Sequence, residues 1–258
     1  MDLRKMTNPP RDAAIAAGER LKLMQKTASI TTRRGKDFST NADITSEQWI
    51  MEILQRATDP TIAMYGEETK GDIPKTGYVF IIDPLDGTHN YRRGCGPFGV
   101  SIALLKNGMP VMGTLYFPQT KTLYEGNDFG ISEFMEHERP TVNGEPNLEQ
   151  STVWTDWTKQ SAQTTLSILE RLRECSVYPT MPLCSTHGLM MVATGKIEGF
   201  VHPYIAIEDH AAAGFLVQLA GGTVTDIHGK PWTPFSESIV ATNGKIHEEL
   251  IDAISDVV

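Results

Sequence analysis

Two aspartates three residues apart, Asp83 and Asp86, stand where the apolar run Val79 to Ile82 is stopped by Pro84 and followed at once by Gly87 and Thr88. In α/β proteins, strand ends that open toward a helix N-terminus are where ligand chemistry is placed. Neighbouring carboxylates repel each other unless one is protonated or a cation bridges them, and hard oxygen donors suit Mg2+. The segment therefore reads as half of a metal and phosphate site. An ordinary Asp-Gly turn, with Asp86 capping the next helix, would use the same residues, so partners elsewhere must decide. The aspartyl-phosphate phosphatase arrangement is not met. There the two acids are two apart and share a strand face, whereas here a proline lies within a spacing of three.

Partners exist on both sides. Upstream, Tyr65-Gly66-Glu67-Glu68-Thr69 is a Gly-led acidic loop whose Glu67 lies 16 residues before Asp83. Downstream, Ile207-Glu208-Asp209-His210 runs into the small residues Ala211 to Gly214, and Gly221-Gly222 follows. Alone, Asp209 reads as a helix N-cap. A Glu on a loop, two Asp at a strand end and an Asp at a helix start are together enough for two or three cations.

These three segments resemble the inositol monophosphatase superfamily of Mg2+-dependent, Li+-sensitive phosphomonoesterases. The pattern there is Gly-Glu-Glu-(Ser/Thr), then Asp-Pro-(Ile/Leu)-Asp-Gly-Thr, then Trp-Asp-x-Ala-Ala-Gly. Here it is matched by Gly66 to Thr69, Asp83 to Thr88 and Asp209 to Gly214, with support from Pro97 to Leu104 and Val192 to Gly195. The likeness runs from about Asp43 to about Asn243. It implies a layered α/β/α/β/α sandwich of the inositol monophosphatase and fructose-bisphosphatase type. It also implies that Glu67, Asp83 and the Leu85 carbonyl hold one Mg2+, and that Asp83, Asp86 and Asp209 hold a second. Gly87 and Thr88 would bind phosphate through their N–H groups. Thr88, oriented by Asp43, would contact the nucleophilic water, and Glu67 or the Thr88–Asp43 pair would take its proton. The implied activity is hydrolysis of a small polyol or sugar phosphate, by a homodimer. Fructose-bisphosphatase, histidinol-phosphate phosphatase and adenosine 3′,5′-bisphosphate 3′-phosphatase activities share the scaffold, and a catalytically silent metabolite-binding relative is the alternative of another class.

The match departs where substrate is chosen. Glu208 replaces the usual Trp before Asp209; it either adds a ligand beside the metals or, as is expected first, turns outward toward the favourable charge of a helix N-terminus. His202 stands where inositol-preferring enzymes carry a Glu, and Leu183-Cys184-Ser185 replaces a Gly-(Thr/Ser)-Ala stretch. His202, Ser185, Glu208 and Arg92 are the candidate substrate contacts. The basic segment 31–38 reads as a loop. The resemblance gives Arg33, Arg34 or Lys36 a part in a third metal site.

Bulk properties agree with a soluble enzyme. At 258 residues, 40% hydrophobic and 21% charged, the chain carries a formal charge of −9, which opposes non-specific nucleic-acid binding. Cys95, Cys175 and Cys184 are widely spaced, with no C-x-x-C, as suits free thiols in a reducing cytoplasm. No apolar run has signal-peptide or membrane-spanning length. Periodicity predicts helices at 11–28, 46–56, 163–175, 186–194, from Asp209 to Gly221, and at 247–257. Strands are predicted at 99–105, 111–117, 122–125, 151–155, 200–202 and 238–242 besides the one ending at Asp83. Together they suggest an α+β part over 1–145, which binds metal and phosphate, and an α/β part over 146–258, which supplies Asp209 and the substrate pocket.

Overall fold

In chain order the computed structural model, which describes residues 7–34, 37–133, 139–158, 160–175 and 179–258, forms α1 (Asn8–Met24), β1 (Ile30–Arg34), β2 (Asp37–Thr40), α2 (Asn41–Ala57), β3 (Ala63–Gly66), β4 (Tyr78–Asp86) and α3 (Thr88–Arg93). It continues with β5 (Gly99–Lys106), β6 (Met109–Phe117), β7 (Thr122–Asn127), β8 (Gly130–Glu133), β9 (Val153–Thr155), α4 (Ala162–Glu174) and α5 (Ser185–Ala193). The last elements are β10 (Gly199–His202), α6 (Ile207–Leu219), β11 (Thr223–Thr225), β12 (Ile239–Thr242) and α7 (His247–Ile254).

Strand β4 shows why the run before Asp83 is continuously apolar rather than alternating. Its odd residues Val79 and Ile81 pack into one core with α5 and α6, and its even residues Phe80 and Ile82 pack into another with α1 and α2. A strand covered on both faces has no solvent side on which to place polar residues. It belongs to a six-stranded sheet of order β3-β4-β5-β6-β7-β8, in which only the β3–β4 pair is parallel.

A second, four-stranded sheet has the order β11-β12-β10-β9. Helices α5 and α6 lie between the two sheets, and α4 and α7 cover the far face of the second through Ile168, Leu172, Leu250 and Ile254. The result is the layered α/β/α/β/α sandwich. The middle core draws on residues from both halves of the chain, from Val79 to Ala241. From Ala211 to Val217 helix α6 is apolar and buried on all sides, as the stretch wedged between two sheets must be. Its Ala211, Ala212 and Ala213 are fully buried, and their size permits close approach: a Cβ added at Gly113 of β6 would lie 3.0 Å from the Ala212 carbonyl oxygen.

Two local readings are corrected, and two short strands are added. The basic segment 31–38 is not a plain loop: β1 and β2 pair antiparallel, Arg33 with Phe38 and Arg34 with Asp37, helped by the β-branched Ile30, Thr31 and Thr32. The side chains of Arg33 and Arg34, and Lys36 altogether, lie outside the described residues. Helix α2 begins five residues before the predicted 46, capped by Thr40, whose hydroxyl accepts from Ala42 N at 3.1 Å. Short β3 and β8 had too few residues to show a period. Among the described residues no helix is long and apolar enough to cross a membrane.

Replacing Ala212 by Leu tests the wedge. It should destabilise the fold by about 1–3 kcal/mol, read as a lowered urea unfolding midpoint; an unchanged midpoint would show that α6 has room to spare.

Candidate active site

The pairing of β4 with β5 is regular to Asp83, opposite Ser101, and resumes at Asp86, opposite Gly99. Three steps on β4 thus span two on β5, and this irregularity re-aims the side chains that flank it. Pro84, which has no N–H to offer the ladder, occupies the slack. Strict strand alternation would have separated acids three apart, and the bulge is why Asp83 and Asp86 nonetheless share one electrostatic field.

Hydrogen bonds hold the segment that carries each candidate acid. Asp83 is buried and accepts from Leu85 N at 2.8 Å. Asp86 Oδ2 takes three donors from the start of α5: Thr186 N at 2.7 Å, Thr186 Oγ1 at 2.5 Å and the Cys184 thiol at 3.2 Å. Asp209 is the third residue of α6, not its cap, and accepts from Ala206 N at 3.3 Å. Glu67 follows β3, where its N–H extends the sheet by donating to Ile82 O at 3.1 Å. The loop that carries it is held by buried Glu47 of α2, whose carboxylate accepts from Glu68 N at 2.8 Å and Thr69 N at 2.9 Å. Gly66 is required there, because a Cβ would sit 2.3 Å from that carboxylate.

Asp43 serves two neighbours. Its Oδ2 accepts from Thr40 N and Oγ1 at 2.8 and 2.5 Å, closing the capping box of α2. Its Oδ1 faces the Thr88 hydroxyl at 3.0 Å. That hydroxyl is also 3.0 Å from Leu85 O, and with one proton it serves only one of the two acceptors at a time. Gly87, with φ of 83°, turns the chain from β4 into α3; a Cβ there would meet Pro97 O at 2.8 Å.

The electrostatics bind these pieces together. Burial first, and then the charges of Glu67, Asp86 and Asp209, push the Asp83 carboxyl well above the usual range. Asp209 is raised by burial, then by Glu208, Asp86 and Glu67. Glu67 is raised by burial, then by Glu208, Asp43 and Glu68. Acids from three distant segments thus repel one another across one small volume. Among the described residues no three His, Cys, Asp or Glu side chains are already drawn together around an ion position; Asp83, Asp86 and Asp209 instead take protein N–H or O–H partners. The donor set is all oxygen and densely anionic, and it fits a hard divalent cation.

A cleft of about 690 Å³ opens over the cluster. Glu67, Asp86, Gly87, Thr88, Ser185, His202 and Asp209 line it, whereas Asp83 and Leu85 are buried at the end of β4 and Asp43 is buried on α2. Two candidate substrate contacts are corrected. Glu208 does not turn outward: it is buried on α6, is not in the cleft wall, and pairs with Lys70. A partner cation outweighed the helix N-terminus. Arg92 is exposed outside the wall, with its guanidinium 5.2 Å from the Phe38 ring centroid. His210 is packed, accepting at Nδ1 from Trp232 Nε1 at 2.8 Å.

The sequence reading missed Glu47, Thr186 and Asp156. Glu47 stands one helical turn after Asp43, a spacing that was visible. Asp156 follows directly on strand β9, lines the cleft, and accepts from Cys184 N at 3.0 Å and Trp157 N at 2.9 Å.

Comparison with known proteins decides the lineage. The model of the inositol monophosphatase family matches residues 2–258. The chain belongs to the inositol monophosphatase family, a family of metal-dependent phosphatases that hydrolyse phosphoric monoesters. It is 30% identical over 243 residues to a probable inositol 1-monophosphatase, ImpA, of Mycobacterium tuberculosis, covering 89% of this chain and 86% of that one. A Thermotoga maritima relative named fructose-1,6-bisphosphatase/inositol-1-monophosphatase is 29% identical, covering 86% and 84%. Among solved structures, the extragenic suppressor protein suhB of Bartonella henselae superposes with a TM-score of 0.90 at 28% identity, over 98% of this chain and 99% of that one. The inositol monophosphatase of Anabaena gives 0.88 at 28% identity, over 100% and 98%.

Two outcomes check this geometry. Glu47→Ala leaves two loop N–H groups without their acceptor, at about 1–3 kcal/mol each when buried, and should lower the unfolding midpoint and loosen the Glu67 loop to hydrogen exchange. Burial raises the Asp156 carboxyl from 3.8 to about 7, so the native chain keeps that proton to higher pH than the unfolded chain does. Its stabilising contribution is complete below 3.8 and lost as pH rises through about 7. In chelator, therefore, wild-type stability should fall more steeply over this window than that of Asp156→Asn; equal slopes would refute the shift.

Proposed function

We propose that the protein is a Mg2+-dependent phosphomonoesterase acting on a small polyol or sugar phosphate. The observation that carries the reading is the convergence of Glu67, Asp83, Asp86 and Asp209, each repelling others of the set, beside the Gly87–Thr88 turn. Glu67, Asp83 and the Leu85 carbonyl would hold one ion, and Asp83, Asp86 and Asp209 a second. Mg2+ bound there would supply Lewis-acid polarisation of the attacking water and of the departing ester oxygen.

The chain's own groups do the rest. The Gly87 and Thr88 N–H groups, at the turn into α3, orient the phosphate oxygens. Thr88, donating its hydrogen bond to Asp43, presents a lone pair to the water and fixes its approach to phosphorus. Glu67 or the Thr88–Asp43 pair accepts the proton that water loses. As the new P–O bond forms the ester P–O bond breaks, releasing phosphate and an alcohol, with no covalent enzyme intermediate. Lithium inhibition and a homodimer belong to the same reading.

The cleft wall favours a wider view of the leaving group. His202 is buried, and desolvation lowers its pKa to about 3, so a neutral imidazole replaces the carboxylate expected for inositol hydroxyls. Trp157 and Tyr204, 43% and 42% exposed, complete the wall and suit a ringed alcohol. Fructose 1,6-bisphosphate, histidinol phosphate and adenosine 3′,5′-bisphosphate therefore belong beside inositol phosphates in the test.

Phosphate release from that panel should require Mg2+. Asp83→Asn should reduce it to background while the protein stays folded, and Thr88→Ala or Asp43→Asn should lower kcat by about 10²–10⁴-fold. No turnover of any member at high Mg2+ would favour a catalytically silent metabolite-binding protein instead.

A further inference from the structure

One ammonium group reaches into this acidic neighbourhood from the loop that carries Glu67. Lys70 closes the tight turn after Glu67: its N–H donates to Gly66 O at 2.8 Å, and its φ is 54°, a left-handed conformation that long side chains seldom adopt. The turn folds the side chain back past the Tyr65 ring, with Nζ 5.6 Å from its centroid, onto Glu208 Oε1 at 2.5 Å. Glu208 is 3% exposed, Lys70 41%, and the residue after Glu208 is Asp209. Burying a carboxylate beside like charges costs least when a cation partners it. Lys70 is that partner. The charge of Glu208 is felt by Glu67 and Asp209, and that of Lys70 by Glu67 in the opposite sense.

We propose that the Lys70–Glu208 ion pair is a built-in counter-charge that sets how tightly the carboxylate cluster binds its divalent cations. The inference rests on the reading that Glu67, Asp83, Asp86 and Asp209 hold Mg2+. Together the pair contributes no net charge. Removing the ammonium leaves an extra anion next to the cluster and strengthens cation binding; removing the carboxylate leaves an extra cation and weakens it. Lys70 acts through the cluster and touches no substrate. The two changes break the same salt bridge yet move affinity in opposite directions, which no purely structural role of the pair would do.

The test is Mg2+ titration by calorimetry of the chelator-stripped full chain, without substrate, with circular dichroism as the check of folding. Compared with wild type, Lys70→Gln should bind Mg2+ more tightly and Glu208→Gln more weakly, each by about threefold to tenfold given partial solvent screening. Lys70→Arg, which keeps the charge, should match wild type. Shifts in the same direction, or none, would overturn the proposal. Should Lys70→Gln fail to fold, Glu208→Gln decides alone: weaker binding supports the counter-charge, and unchanged or tighter binding overturns it. A wild-type chain that takes up no Mg2+ would overturn both this inference and the function beneath it. Binding by wild type with no change in any variant would overturn the inference only.

Discussion

Repulsion among buried carboxylates is the constraint around which the rest of the molecule is arranged. Glu67, Asp83 and Asp209 each carry an upward pKa shift caused first by burial and then by neighbouring carboxylates. A chain that only sought stability would not assemble such a group, because buried charge without a counter-ion opposes folding. The surrounding structure holds it in place with backbone N–H groups at Leu85, Thr186 and Ala206, and with the Lys70 ammonium on the adjoining Glu208. The electrostatic opposition that results is what a divalent cation would relieve.

Holding these acids together requires a scaffold that is stiff where they attach. Asp83 and Asp86 ride on β4, whose two faces are both packed. Asp209 rides on α6, wedged between two sheets by residues as small as alanine. Glu67 rides on the weaker support, a loop after a four-residue strand, and there Glu47 supplies the missing rigidity. Rigid elements carry three of the acids, and a buried hydrogen-bonding carboxylate compensates for the loop that carries the fourth.

The departures from the family pattern share one physical character. Glu208 adds a charge where an apolar ring is usual, and the chain neutralises it with Lys70. His202 removes a charge where a carboxylate is usual, and burial keeps its imidazole neutral. One change alters the field at the cluster and the other alters the polarity of the cleft wall. Family membership therefore describes the scaffold and the chemistry of its acids more closely than it describes the alcohol that leaves.

Motif order along the chain was enough to determine the family, the layered sandwich and the acids that meet, because Glu67, Asp83, Asp86 and Asp209 lie in short segments whose local sequence is distinctive. The main helices were legible from their spacing, and strand β4 from its apolar run. Tertiary structure alone decided which way the intermediate residues face. Strand alternation, applied locally, separates Asp83 from Asp86, and only the pairing with β5 shows the extra residue that reunites them. The inward turn of Glu208 depends on Lys70, 138 residues away in sequence, and the hold on Asp86 depends on Thr186, 100 residues away. Contacts of that range leave no period or spacing in the chain, since they are set by how layers stack and not by how neighbouring residues succeed one another.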